Sequence, residues 1–554
     1  MANEKKSTFY GGAAILMVGS LLVKLIGAVY KIPLGNLLSN EAYVDFNTAY
    51  NVYNLFLTIA TAGLPVALSK TVAEANALDR QNQVQRVFSV ALKTFLTLGV
   101  LCFLAMSLFS APLSVLMGDS SAVWCVRCLA PSVLCVCVMA AFRGYYQGHS
   151  NMVPTAVSQV IESLGKLVFG LLLAWLALDL LSGAESYRQR MAAAGAILGV
   201  SIGSVIALFY IAFYHLRRRK TRPATTDVSD AGGAVLKRLL ALAIPITLGS
   251  AAISIVTLID TKVVLTLLER MYHDLPQLIT PEAVAQQLEP GGVTPQLYMA
   301  QGLKGIYDKL MAIYNLPSQL MVSITASVIP AVSACLARRD ALAASATSES
   351  ALRIGMILAL PMGFGLFALG GPITQLLYPG MDTAVAAPIL SILGLATIFV
   401  CIMSLCNSIL QANGRVGLPV LAVVVGGVIK IAVNYRLVGN YDINILGAPI
   451  GTLACFGAVA LLDILFIRLV VPSPPSFLRA FAKPLAASVL MGAAAWATCG
   501  LASRYVGPRL GCLVGIAVGV VVYFALVVLL KVFSKNDLEL MPKGDKLAKL
   551  LGVR

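Results

Sequence analysis

The chain has 554 residues, of which 58% are hydrophobic and only 12% charged. Soluble domains average about 45–50% apolar and about 25% charged, so a soluble globular protein is excluded. The formal net charge of +16, from 41 basic and 25 acidic residues, would suit a nucleic-acid partner, but the placement of that charge argues against one.

A bilayer-spanning helix needs about 20 mainly apolar residues. Fourteen such stretches are predicted, at 9–33, 43–68, 84–110, 121–142, 153–178, 193–215, 237–268, 304–335, 350–370, 384–411, 417–438, 445–470, 481–502 and 510–532. The fold class is therefore an all-α polytopic membrane protein. Lys5 and Lys6 precede the first stretch. It is too long for the apolar region of a cleavable signal and reads as a retained helix.

An even number of spans puts both termini on one side. The basic residues say which side. The loop after the sixth span carries Arg217, Arg218, Arg219, Lys220 and Arg222, and the C-terminal tail carries Lys535, Lys543, Lys546, Lys549 and Arg554. The loops on the opposite side hold only Arg188, Arg190, Arg270, Arg504 and Arg509. Basic residues concentrate in cytoplasmic loops, so both termini are expected in the cytoplasm. The surplus charge is then mostly a topological signal.

The predicted organisation is an N-terminal lobe of six helices (1–215), a cytoplasmic linker (216–236) and a second six-helix lobe (237–470) with an external insertion (269–303). Two final helices (471–532) and a cytoplasmic tail (533–554) follow. An internal repeat supports this. QGHSNMVPTAVSQVIESLGK runs from Gln147 to Lys166, and QANGRVGLPVLAVVVGGVIK from Gln411 to Lys430, with Pro154 and Pro419 near the helix starts. GLPVALS (63–69) and VIPAVSA (328–334) match at a similar offset. Two six-helix units in one orientation imply a repeat about an axis along the membrane normal, the arrangement of transporters with a central site.

Charges inside spans are costly, at about 2.5–3.5 kcal/mol or more on insertion scales, and need a partner or a wet cavity. Lys24 and Lys31 lie seven residues apart, two turns, on one face of the first helix. The second helix carries Asn47, Asn51, Asn54 and Thr58 as a polar stripe, and the eighth opens with Lys304, Tyr307, Asp308 and Lys309. Together these are expected to line a hydrated cationic cavity; snorkelling to the interface is the alternative for lysines near helix ends. Glu162 and Lys166 form a favourable i, i+4 pair that reads as a structural ion pair. Asp260 in the seventh helix is expected to pair with Lys430 in the eleventh. His149, His215 and His273 are widely separated, and the cysteines lie mostly in apolar runs. No metal site and no cofactor are expected, and Cys125 and Cys128 lack the second pair that a CxxC metal site needs.

RGYYQGHSNMVPTAVSQVIESLGK (143–166), AGLPVALSKTVAE (62–74) and YDKLMAIYNLPSQL (307–320) resemble the MurJ-like flippases, in the SpoVB/YtgP branch of the MOP (MATE-like) superfamily. The resemblance covers essentially the whole chain. It implies two six-helix lobes related by pseudo-two-fold symmetry in a V, plus two C-terminal helices. It also implies alternating access and export of lipid II, the undecaprenyl-diphosphate-linked peptidoglycan precursor, across the bacterial cytoplasmic (plasma) membrane.

Lys24, in VKLIG, falls where the family carries an arginine in an SRVLG-like motif; Lys31 matches a second family arginine loosely. Lys309, in YDKLM, matches the arginine of a YADRLM-like stretch. Leu57 lies near a further family arginine. Asp260, in LIDTK, resembles a seventh-helix acid that binds sodium in some members, and the Lys430 ammonium is expected to replace that ion.

A cationic cavity suits a diphosphate headgroup, and an anion leaving a negative interior gains about 2.3 kcal/mol per charge per 100 mV. No GxxxxGKS/T phosphate loop occurs, consistent with no nucleotide hydrolysis, and a transporter rather than an enzyme is expected. The expected partners are a lipid-linked anionic glycan and membrane lipids, with no nucleic acid, and the protein is expected to act as a monomer. Alternatives are a flippase for another lipid-linked oligosaccharide, or a MATE-type cation-coupled drug exporter. A membrane-embedded glycosyltransferase would want an acidic DxD cluster, and none is found.

Overall fold

The computed structural model describes residues 2–219, 228–287 and 293–533. The linker stretch 220–227, residues 288–292 of the expected insertion and the tail 534–554 lie outside the described residues. No strand occurs among those described.

The helices are α1 (Ala2–Leu37), α2 (Asn40–Thr61), α3 (Leu64–Ala77), α4 (Gln81–Leu108), α5 (Ser110–Leu116), α6 (Val123–Gly148), α7 (Val153–Leu180), α8 (Glu185–Arg219) and α9 (Gly232–Asp274). There follow α10 (Pro281–Gln287), α11 (Pro295–Ala337), α12 (Ala341–Ala368), α13 (Gly370–Leu377), α14 (Thr383–Ala412), α15 (Gly417–Leu437), α16 (Gly447–Val470), α17 (Phe477–Val506) and α18 (Pro508–Leu529). Twelve stretches among the described residues are long and apolar enough to cross a membrane. The two other predicted spans correspond to α9 and α11, each a continuous helix of 43 residues.

One sequence expectation needs correction. The stretch 43–68 is not one helix, because the chain breaks at Ala62 and Gly63 and restarts as α3 with Pro65 in its first turn. Pro65 has no N–H to bond the Thr61 carbonyl one turn back, which interrupts the ladder there, and in the first turn of α3 that missing donor costs nothing. Within the expected insertion 269–303, α9 continues to Asp274, α10 covers Pro281–Gln287 and α11 begins at Pro295. Pro281 and Pro295 open helices, where the missing N–H costs nothing.

Local signals explain several helix starts. The Ser39 hydroxyl accepts from the Ala42 N–H at 3.2 Å to begin α2. Asp340 and Asp382 cap α12 and α14 in the same way, each at 2.9 Å. Hydroxyls inside the apolar helices satisfy themselves on the preceding turn: Thr71 donates to the Ala67 carbonyl, Thr397 to Leu393 and Ser488 to Pro484. In hydrocarbon that is the cheapest partner available.

The helices pack into two compact units, Met1–Gly305 and Ile306–Arg554. In the first, α4 packs on α6, α6 and α7 pack on α8, and α1 packs on α7, while α2 and α3 lie against α6 and α9. Tyr30, Phe46, Phe95, Leu129 and Ile197 fill its core. Small residues bring α7 and α8 into backbone contact: a Cβ at Gly199 would lie 2.2 Å from the Gly170 nitrogen. In the second unit α12 packs on α14, α14 and α15 pack on α16, and α17 and α18 form a pair held against α12. Met356, Leu360, Cys401 and Leu405 lie in its core.

The internal repeat is visible in these pairings, since α4, α6, α7 and α8 follow one another and pack as α12, α14, α15 and α16 do. It is sharpest in the turns after α6 and α14. Asn151 N–H donates to the Tyr146 carbonyl at 3.0 Å, and Arg415 N–H to Leu410 at 2.9 Å. Ser150 and Gly414 both adopt left-handed backbone, with φ of 57° and 75°. These are helix ends of the Schellman type, repeated in register.

Candidate functional site

Lys24 and Lys31 stand on one face of α1, roughly 10 Å apart by helical rise, and both are half-buried. Tyr30, by contrast, is fully buried and donates its hydroxyl to the Ala196 carbonyl at 3.2 Å, so the lysine face lies about a third of a turn from the packing face. Among the described residues the Lys24 ammonium has no ion-pair or hydrogen-bond partner. An ammonium within an apolar span without a partner requires water or an anion beside it.

The polar stripe of α2 divides in two. The Asn51 amide donates to the Thr261 hydroxyl of α9 at 3.0 Å, and Thr58 shares a hydrogen bond with Ser254 at 3.1 Å. This part of the stripe ties α2 to α9. Gly63 continues the contact, since a Cβ there would lie 2.1 Å from the Ala243 carbonyl oxygen. Asn47 is half-buried and Asn54 exposed, so these two present amides outside that seam. Asp260, beside Thr261, is buried.

The expected Glu162–Lys166 pair is not formed. Glu162 instead accepts from the Arg143 guanidinium at 2.9 Å, while the same guanidinium donates through Nε to Ser158 at 3.0 Å. The Lys166 ammonium lies over two tyrosine rings, 4.9 Å from the Tyr30 centroid and 4.8 Å from that of Tyr50. The physical reason is tertiary. The planar fork of Arg143 on α6 reaches both acceptors on α7 at once, and the aromatic faces of α1 and α2 receive the displaced ammonium. Arg143 lies beyond the predicted end of its span, and nothing in its local sequence marks it as the partner.

In the second unit Asp308 and Lys309 sit on α11, both buried. The Tyr307 hydroxyl shares a hydrogen bond with Thr452 at 3.0 Å, and the Tyr378 hydroxyl donates to the Lys309 carbonyl at 3.3 Å. These contacts fix the turn of α11 that carries the two charges. Lys430 is half-buried on α15. Asp463 on α16, which the sequence marks only as an acid within a span, is fully buried.

The second unit also contains an apolar cavity of about 480 Å³ bordered by α11, α12, α13, α17 and α18. Ile313, Pro361, Gly365, Ile516, Gly519 and Phe524 are among its lining residues. The one phenol in its wall, Tyr523, donates to the Ile357 carbonyl at 2.6 Å, so its hydroxyl is spent on the backbone. Such a cavity suits a hydrocarbon chain.

A family model described as polysaccharide biosynthesis protein matches residues 9–336, and one described as lipid II flippase MurJ matches residues 283–514. The uncharacterized membrane protein YabM of Bacillus subtilis (strain 168) is 25% identical over 562 residues, covering 99% of this chain and 98% of that one. Stage V sporulation protein B of the same organism is 24% identical over 545 residues, covering 97% and 98%. Among solved structures, lipid II flippase MurJ in an inward closed conformation aligns with a TM-score of 0.65 at 16% identity, covering 93% of this chain and 98% of that one. That likeness is one of fold.

Proposed function

Because the chain belongs to the polysaccharide biosynthesis protein family, as a MurJ-like member of the MOP superfamily, we propose that it is a flippase exporting lipid II by alternating access. The observation that carries this reading is Lys24, an ammonium in the first span with no partner among the described residues. An anion completes that site, and a diphosphate is the anion of an undecaprenyl-linked precursor. Lys31, two turns on, adds positive charge on the same face of α1, and Lys309 on α11 is proposed as a cationic position of the second unit.

Lysine attracts phosphate as a point charge, without the bidentate fork of arginine. Recognition therefore rests on charge more than on geometry. The apolar cavity beside α17 and α18 is the proposed resting place of the prenyl chain. Both termini are proposed to face the cytoplasm, from the distribution of basic residues. A substrate of net charge −2 moving outward would gain on the order of 4–5 kcal/mol per 100 mV, enough to drive export without nucleotide.

Complementation of a strain depleted of its lipid II flippase tests this, comparing wild type with Lys24→Ala and Lys309→Ala at matched membrane levels. Rescue by wild type and loss in both variants is expected. Failure of the wild type despite normal membrane levels would redirect the proposal to another lipid-linked oligosaccharide. Rescue by all three would remove the cationic site.

A further inference from the structure

A second group of polar side chains lies in the first unit, where the start of α11 meets α2 and the 3-10 turn Ser120–Ala122. Asp45, Asp119 and Gln301 are all essentially inaccessible, at 1%, 0% and 0% exposure. The Ser121 hydroxyl lies 2.6 Å from Asp45 Oδ1 and 2.7 Å from Asp119 Oδ1. The Gln301 amide nitrogen donates to Asp119 Oδ1 at 2.9 Å, to Ser121 Oγ at 2.9 Å and, more weakly, to Asp45 Oδ1 at 3.4 Å.

Counting hydrogens shows what this arrangement lacks. Ser121 has one hydroxyl hydrogen and two short oxygen contacts, and the Gln301 amide hydrogens already point at the same oxygens. One contact between oxygens therefore needs a hydrogen from outside the set. Independently, two buried acceptors here, Asp119 Oδ2 and Gln301 Oε1, have no donor at all. Two buried carboxylates sharing one hydroxyl repel each other unless one is neutralised. Contacts of 2.6 and 2.7 Å leave no room for a metal ion between the oxygens.

We propose that Asp45, Asp119, Ser121 and Gln301 form a binding site for one proton, and that its loss releases the first turns of α11 from α2. With one proton in the set, one carboxyl donates to Ser121 Oγ and the Ser121 hydroxyl donates to the other carboxylate, so every short contact has its hydrogen. One negative charge remains on the pair of acids. Arg190 on α8 acts electrostatically on Asp45, and Cys125 on α6 is a further titratable group beside the two acids. Glu41 on α2 approaches Gly302, and the buried Lys304 lies one turn along α11. Removing the proton leaves two carboxylates on one hydroxyl, and the amide of Gln301 cannot neutralise both.

The test uses the full-length purified protein and its thermal unfolding midpoint between about pH 6 and about pH 9. The proton-bound form is the stable one, so the wild-type midpoint is expected to fall as pH rises. Asp119→Asn replaces one of the two acids with a neutral group of the same shape. It is expected to flatten that dependence and to keep the higher midpoint at alkaline pH. Infrared spectra provide a second measurement: the protonated-carboxyl stretch is expected to weaken in Asp119→Asn and in Asp45→Asn relative to wild type. A midpoint lowered equally at every pH, with the infrared band unchanged in both variants, would overturn the proposal in favour of a purely structural cluster. Stabilisation by added sodium at fixed pH, abolished by Asp119→Asn, would overturn it in favour of a sodium site.

Discussion

Arg143 holds Glu162 at 2.9 Å across two helices and so takes the carboxylate from Lys166, its neighbour four residues along the same helix. Both members of the pair are mostly buried, with side-chain exposures of 12% and 23%. Breaking such a pair strands a charge and costs about 3–5 kcal/mol. Losing a cation–π contact costs about 0.5–2 kcal/mol. Arg143→Ala is therefore expected to destabilise the protein more than Lys166→Met, and chemical unfolding in detergent measures the difference. Equal effects would mean that the ion pair does not organise this region.

The lysines of α1 invite a change in the opposite direction. Lys24→Arg restores a fork that matches phosphate bidentately, so it is expected to raise apparent affinity for a diphosphate lipid by up to about tenfold, equivalent to about 1.4 kcal/mol. Binding of a fluorescent diphosphate lipid to protein in nanodiscs reads this directly. Lys24→Ala is expected to reduce the same binding while leaving the unfolding midpoint unchanged.

The seam between α2 and α9 depends on the absence of a side chain at position 63. A Cβ there would sit 2.1 Å from the Ala243 carbonyl oxygen, and the neighbour is backbone that cannot step aside. Gly63→Ala is expected to cost about 1–3 kcal/mol through overpacking. Gly27 is the control, because a Cβ at that position would meet nothing within 4 Å. Gly27→Ala is expected to be neutral or mildly stabilising, by up to about 1 kcal/mol, because it sits in a helix.

Gly365 borders the apolar cavity, and a Cβ added to it likewise has open space for 4 Å around. Gly365→Phe is expected to fill the cavity without disturbing the helix. Transport of a lipid-linked substrate into proteoliposomes should fall while the unfolding midpoint holds or rises. Unchanged transport would show that the prenyl chain travels elsewhere.

The spans are legible in the sequence because a bilayer demands length and apolarity together, and both are written residue by residue. The repeat is legible from Gln147–Lys166 and Gln411–Lys430, and the turns at Ser150 and Gly414 bear it out. Proline misleads where its position within an element matters. Pro281 and Pro295 each start a helix inside the expected insertion, and Gln301, on the second of these helices, is buried. Charge pairing misleads for a different reason. The i, i+4 rule describes a helix alone, whereas Glu162 binds a guanidinium that the sequence keeps nineteen residues away. Asn51 and Thr58 are legible as a stripe, but only the packing of α9 shows that they bind Thr261 and Ser254.

The matched turns at Ser150 and Gly414 carry unequal loads. Left-handed backbone is free for glycine and costs a residue with a Cβ roughly 1–2 kcal/mol. One copy of the duplicated element thus holds its shape against a standing torsional penalty, while the other holds it at rest. The two copies therefore differ in tolerance: a new side chain at 414 would introduce a cost that the chain already bears at 150, and removing the side chain at 150 would relieve it.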